Sequence, residues 1–421
     1  MSQGGGRRSC YDGLPLVAAA PFMFRGFILF AVLLVLAPFV PRGGVAQAAE
    51  QRAMAPRPPL AVSVAFDAAG RLWRVRMLDD CLVVDVSADR GATFAAPVRV
   101  TAEPVAADGE QRPEIALGAG NEVYVAWTTP LPEPYAGYIR FARSLDGGRS
   151  FEAPLTVNDN RAAITHRFQS MQVAPDGRIT LVWIDKRDLE AAKLAGTAYR
   201  GAALYTAVST DGGASFGPNT RLAAHSCECC RIALASDSDG RPVAFWRHVF
   251  ADGTRDHALV LVGDGEYMAQ PATRQGWKVD ACPHHGPDLA IATDGTRHGA
   301  WFSVVGGEPG LFYGAWDRAG LPLAEPLRFG APNAAHPALL VQGLRVLLAW
   351  KAFDGENTVV SLMESADGGR HWSAPRAVAT AAAASDHPRL VAEGATAYLS
   401  WSAAQEGYRL IPLASSMGSG S

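Results

Sequence analysis

Charge is scarce in this chain. Asp, Glu, Lys and Arg make up 19% of its 421 residues, and the formal net charge is −3. That balance excludes the basic footprint of a nucleic-acid binder. Helical periodicity is almost missing beyond residue 48, which excludes a helical domain; Asp188 to Leu194 reads as one short helical insertion. Long apolar runs are missing as well. The one run, Phe27 to Ala37, is short for a bilayer span of about 20 residues. It follows Arg25 and precedes Ala46-Gln47-Ala48, a small-x-small cleavage site. This is the order of a secretory signal peptide, so residues 1–48 read as a signal with an extended n-region. An N-terminal membrane anchor is the alternative. Cysteine is sparse, six in all. With Cys10 in the presequence, Cys81, Cys227, Cys229, Cys230 and Cys282 remain. An odd number in an oxidising compartment leaves at least one thiol unpaired, metal-bound or intermolecular.

Glycine (43) and proline (28) are plentiful, as many short strands joined by turns require. One pattern, Ser-x-Asp-x-Gly-x-x-aromatic, recurs at Ser87–Phe94, Ser144–Phe151, Ser209–Phe216 and Ser365–Trp372. Its physics is that of a rigid hairpin turn: Asp bonds the turn backbone, Gly supplies positive φ, and the aromatic packs back into the sheet. A second repeat runs beneath it. Short strand, turn and alternating strand end on an aromatic at Trp127, Trp183, Trp246, Trp301, Trp350 and Trp401, with Trp73 in a first copy slightly out of register. A period of this kind, built of hairpin-linked strands, predicts the blades of a β-propeller.

The four Ser-x-Asp-x-Gly turns resemble the Asp-box of the sialidase-like (BNR repeat) β-propellers. The resemblance implies an all-β fold of four-stranded antiparallel blades, with Asp89, Asp146, Asp211 and Asp367 as scaffold. Seven strand pairs favour seven blades; sialidases have six. The expected organisation is a linker over 49–58, a single propeller over 59–414 and a loose tail over 415–421. The fourth and fifth copies have Asp264-Gly-Glu and Asp317-Arg-Ala-Gly320 where the other turns stand.

In a propeller the loops leading into the innermost strands converge on one mouth of the central channel, opposite the Asp turns. Those loops carry Gln111-Arg112-Pro113, His166-Arg167, Cys227-Glu-Cys-Cys-Arg231, Cys282-Pro-His-His-Gly286, His336-Pro337 and Asp386-His387-Pro388. Residues after the Trp positions add Asp185, Lys186, Arg187, Arg247, His248 and Lys351, and His225 stands beside the first cysteine. Three readings of Cys227, Cys229, Cys230 and Cys282 stand open: a disulfide between two blades, a soft-metal site completed by His284 or His285, or redox work. In an extended chain Cys227 and Cys229 would face one way and Cys230 the other. The run Cys227-x-Cys-Cys, Arg247, Arg255-Asp256, Trp277 and Cys282-Pro-x-x-Gly-Pro287 also resembles a subgroup of exported bacterial Asp-box proteins labelled sialidase-like by fold.

A sialidase clamps its substrate carboxylate with three arginines. Arg112, Arg167, Arg187 and Arg247 are the candidates, with Asp185 or Asp188 as acid and Tyr135 or Tyr138 beside Glu133 as nucleophile pair. The Phe/Tyr-Arg-Ile-Pro motif that should open such a chain is not there; Tyr408-Arg-Leu-Ile-Pro412 echoes it at the wrong end. Arg187-Asp188 and Arg255-Asp256 read as neighbouring charge pairs that order loops. The expected function is therefore that of an exported, non-hydrolytic binding protein with a copper or zinc site at the channel mouth. His166, His225, His248, His336 and His387 form the wider face. A sialidase-like hydrolase and a disulfide-stapled interaction propeller are the alternatives. The expected ligand is a metal ion, a small anion or a glycan.

Overall fold

The computed structural model describes residues 59–414 apart from Asp264. The signal or anchor, the linker to residue 58, the tail from residue 415 and the turn at Asp264 lie outside the described residues. The described chain folds into seven antiparallel sheets, each made from one contiguous stretch: 63–101, 114–156, 166–226, 233–261, 288–329, 335–381 and 389–413. We number these blades 1 to 7. Five have four strands; blades 4 and 7 have three. In blade 4 an irregular segment, bridged at Ala258 and Pro271, runs beside the outer strand. Consecutive innermost strands touch around the ring, and Ser63–Phe66 of blade 1 meets Arg389–Glu393 of blade 7 to close it. Among the described residues Arg187–Ala195 is the one helix, in the loop after the second strand of blade 3.

Burial explains the strand sequences. The second strands have neighbours on both faces, so Ile179–Asp185 and Pro242–Arg247 are buried throughout. Trp127, Trp183, Trp246, Trp301 and Trp401, from five of these strands, are completely enclosed. The core is a ring of inter-blade layers. One joins Tyr124 and Phe141 of blade 2 to Trp183 and Tyr205 of blade 3, and another joins blades 5 and 6 through Tyr313 and Trp350.

The Ser-x-Asp-x-Gly turns connect third to fourth strands and repeat one hydrogen-bond net. In blade 3, Ser209 Oγ donates to Asp211 Oδ1 at 2.8 Å, and Asp211 accepts from the Ser215 N–H and hydroxyl at 3.0 and 2.6 Å. Gly213 N donates to Ser209 Oγ at 2.8 Å. Equivalent bonds form around Asp89, Asp146 and Asp367. The bond from the Thr93 hydroxyl leads in holding Asp89 down to about 2. The aromatic packs across the blade boundary. Phe216 meets Phe141 of blade 2 edge-on at 5.0 Å, Trp372 meets Tyr313 of blade 5 at 4.8 Å, and Phe94 meets Tyr408 of blade 7 at 6.0 Å. Each turn is thus a clasp onto the preceding blade.

Glycine is required at these clasps for two reasons. Gly213 has φ +79°, and a Cβ there would lie 2.6 Å from the Phe141 ring. Gly177 has a similar φ of +86° in open space. Gly177→Ala should cost about 1 kcal/mol from backbone strain alone. Gly213→Ala should cost about 2 kcal/mol, because the blade contact must also give. Urea midpoints at constant m-value check both; equal costs would mean the clasp contributes nothing.

Candidate metal centre

The loop 227–230 runs between the last strand of blade 3 and the first of blade 4. Its chain is bent rather than extended. The bend corrects the expectation that Cys230 faces away from its neighbours. Cys227 Sγ lies 3.4 Å from Cys230 Sγ and 3.9 Å from Cys229 Sγ, and the three sulfurs are mutually within 4.8 Å. All three are buried free thiols. Around them pack Phe168, Ile232 and Trp246. Three sulfurs about 2.3 Å from one ion stand roughly 3.8–4.0 Å apart. The cluster is near that spacing and could hold a metal ion.

Electrostatics differentiates the three thiols. Bonds from Cys229 and then Cys230, with the Arg247 charge behind them, hold Cys227 well below the ordinary thiol range despite burial. Sharing with Cys227 and burial push Cys229 and Cys230 up. Arg255 Nη1 also approaches Cys227 Sγ at 3.6 Å. Arg255 is at the same time a wall of an open pocket of about 580 Å³ lined by Tyr199, Arg200, Glu228, Lys278 and Asp280. The sulfur cluster therefore borders a pocket of mixed charge through one guanidinium.

Cys282 is a free, exposed thiol outside the group of three sulfurs, and His284 beside it is exposed too. No disulfide joins the two loops. His285 turns inward, stacking on Phe302 at 4.1 Å and meeting His336 at 4.9 Å. His336 and His387 stack at 3.4 Å and 15°. Both face Glu110, a residue the sequence reading passed over. Glu110 Oε1 lies 3.2 Å from His336 Nδ1 and 3.5 Å from His387 Nδ1. It also accepts from Arg231 Nη1 at 3.0 Å, while Oε2 accepts from Arg231 N and Gly286 N at 3.1 and 2.9 Å. One carboxylate from the lead-in to blade 2 thus gathers the lead-ins to blades 4, 5, 6 and 7. Gly286 permits this: a Cβ there would lie 2.8 Å from Glu110 Oε2 and 2.2 Å from Arg231 Cγ. Burial opposes ionisation of Glu110, but the Arg231 charge leads the forces that bring it down to about 2. Glu110, His336 and His387 are a second group that could hold a metal ion.

The other candidates are engaged elsewhere. Arg112 pairs with Asp386 at 2.9 Å, and Arg187 with Asp185 at 2.8 Å and Asp159 at 2.7 Å. Asp188 sits under Tyr205 and Arg221 rather than pairing with Arg187. Asp256 accepts from the Gln275 and Gly276 N–H groups, not from Arg255. Arg247 is 1% exposed and donates to the Arg255, His285 and Phe302 carbonyls. Arg167 packs over Phe168. His166 Nδ1 donates to the Gly137 carbonyl, and Nε2 stands 3.8 Å from Asp185. Burial drives His248 down to about 4, and His225 Nδ1 accepts from Arg200 N. Tyr138 donates to the Arg161 carbonyl, and Tyr135 is exposed.

Backbone strain marks the same loops. Tyr135, Phe168, His225, His284 and His336 all have φ between 52° and 62°. Side-chain-bearing residues rarely adopt that region, and such strain concentrates at functional sites.

No protein-family model matches this chain. No curated protein matches it in sequence. Among solved structures it is similar to a polysaccharide lyase, an ulvan lyase bound to GlcA(1-4)Rha3S, with TM-score 0.54 and 11% identity over 82% of this chain and 90% of that one. It is also similar to an α-L-arabinanase of Penicillium chrysogenum, with TM-score 0.46 and 14% identity over 72% and 93% of the two chains. A third, the NanB sialidase of Streptococcus pneumoniae, gives TM-score 0.42 and 8% identity over 70% and 65%. Identity this low is evidence of shared fold alone, and the chain is a seven-bladed β-propeller with structural neighbours among glycan-acting propellers.

Proposed function

We propose that this protein is an exported metal-binding propeller whose Cys227, Cys229 and Cys230 hold a thiophilic ion, Cu(I) in the first place and Zn²⁺ in the second. The observation that carries the reading is the set of three buried free sulfurs within 4.8 Å of one another. Soft thiolates select Cu(I), and a three-sulfur set suits its low coordination number better than the four ligands of structural zinc. A Cys227 already inclined to ionise, beside Arg255 and Arg247, lowers the cost of proton release on binding. Export rests on the signal-like segment Arg25 to Ala48.

The hydrolase alternative draws on the resemblance of the Ser-x-Asp-x-Gly turns to those of sialidase-like propellers. The arginines offered for a carboxylate clamp speak against it. Arg112, Arg187 and Arg247 are held by carboxylates or backbone carbonyls rather than directed together at a free pocket.

The test is elemental analysis of full-length protein purified anaerobically without chelator. Near-stoichiometric copper or zinc is expected in the wild type and in Cys282→Ser, and its loss in Cys229→Ser. A wild type with three titratable thiols in that loop and no metal, even after Cu(I) loading, would sink the reading.

A further inference from the structure

We propose that Glu110, His336 and His387 form a second metal site that takes a divalent first-row cation through nitrogen and oxygen. It shares no ligand with the thiol cluster, so either site can fail without the other.

The donor spacing suits a common ion, and the stacked His336 and His387 rings must turn for both in-plane lone pairs to reach it. Donors about 2.0–2.2 Å from a common cation lie roughly 3–3.5 Å apart. Glu110 Oε1 stands 3.2 Å from His336 Nδ1 and 3.5 Å from His387 Nδ1. Two imidazole nitrogens here lack any hydrogen-bond partner although shielded from solvent: His387 Nδ1 and His285 Nδ1. A buried polar atom without a partner is costly and calls for an explanation. Rings stacked 3.4 Å apart cannot both be imidazolium cations without strong repulsion. At least one of the stacked imidazoles is therefore neutral, the state that ligates metal.

Arg231 is the opposing charge. Its Nη1 takes Glu110 Oε1, while its Nε and Nη2 are fixed on the Pro287 and Pro337 carbonyls. The other lone pair of Oε1 faces His336 Nδ1, so a cation would take the place of that hydrogen bond. Arg231 keeps Glu110 ionised and, by repulsion, weakens the site for any cation. Softness then sorts the metals: Cu(I) goes to the sulfurs, and imidazole with carboxylate takes a borderline divalent ion. The ligands come from blades 2, 6 and 7, so only the closed ring assembles them.

Co²⁺ is the probe, titrated anaerobically into full-length protein and followed by visible absorption. Nitrogen–oxygen ligation gives weak d–d bands, and thiolate ligation adds intense sulfur-to-cobalt charge transfer. One equivalent with d–d bands alone is expected to persist in Cys229→Ser. Its affinity should fall at least tenfold in His387→Ala, and in His336→Gln, at unchanged melting temperature. Loss of all cobalt binding in folded Cys229→Ser, or unaltered binding in both histidine variants, would overturn the proposal. Should the histidine variants not fold, the wild type decides: saturating Co²⁺ that gives only charge-transfer bands overturns it, and a second equivalent without them supports it.

Discussion

Glu110→Ala should be the most damaging single substitution on the channel face, lowering stability by about 3–5 kcal/mol. Arg231 would keep its buried charge with no carboxylate to meet it, since its remaining contacts are the neutral Pro287 and Pro337 carbonyls. The Gly286 and Arg231 N–H groups would lose their acceptor as well. Four blade lead-ins would come loose together, so the loss should appear as global destabilisation. Glu110→Gln keeps the shape and most acceptors while removing the charge, and should cost less. Urea unfolding of both variants at pH 7 checks this. A cost below about 1 kcal/mol for Glu110→Ala would mean that the lead-ins are held by packing alone.

Much of the fold is legible in the sequence because propeller blades repeat. The Trp positions fall at buried sites of second strands, and each Ser-x-Asp-x-Gly turn closes an outer hairpin; both patterns are local. Blades 4, 5 and 7 have no such turn in the described chain; blades 4 and 7 are three-stranded, while blade 5 keeps its fourth strand. The thiol cluster is legible for the same reason, since Cys227, Cys229 and Cys230 are near neighbours. Which way each sulfur points is not, because it depends on a bend. Partners distant in sequence are invisible too. Asp386 meets Arg112 across 274 positions, and Glu110 meets His336 across 226. Nothing local distinguishes Glu110 from any acidic residue before a strand. The sign that might have drawn attention to it is its place beside Gln111-Arg112-Pro113, at the lead-in to blade 2. Cys282, by contrast, belongs to a suggestive Cys-Pro-His-His run, yet its side chain faces solvent while His285 turns inward.

Four residues beyond Glu110, a second carboxylate should give the protein an alkaline sensitivity of opposite sign. Glu114 lies on the innermost strand of blade 2 and lines a channel cavity of about 140 Å³ with Arg112, Asp288 and Arg389. Burial pushes it up to about 7, outweighing the Arg389 and Arg112 charges and the bond from Met171 N at 2.6 Å. The folded protein thus holds this proton more tightly than the unfolded chain, where a glutamate titrates near 4.3. The resulting stability is fully present below that unfolded value and is lost as pH rises from there through 7, by about 4 kcal/mol at most. Glu110 runs the other way. Held at about 2, it contributes stability above the unfolded value that is lost as pH falls toward 2. The two together place their combined stability maximum near the unfolded glutamate value, at about pH 4.3, with loss on either side. Glu114→Gln should abolish the alkaline loss and leave the acid limb intact, because glutamine still accepts from Met171 N and carries no charge into the channel. Urea midpoints at pH 5.5 and 8.5 decide it. A wild type equally stable at both, or a variant that loses as much as the wild type, would show that Glu114 ionises in the folded channel without penalty.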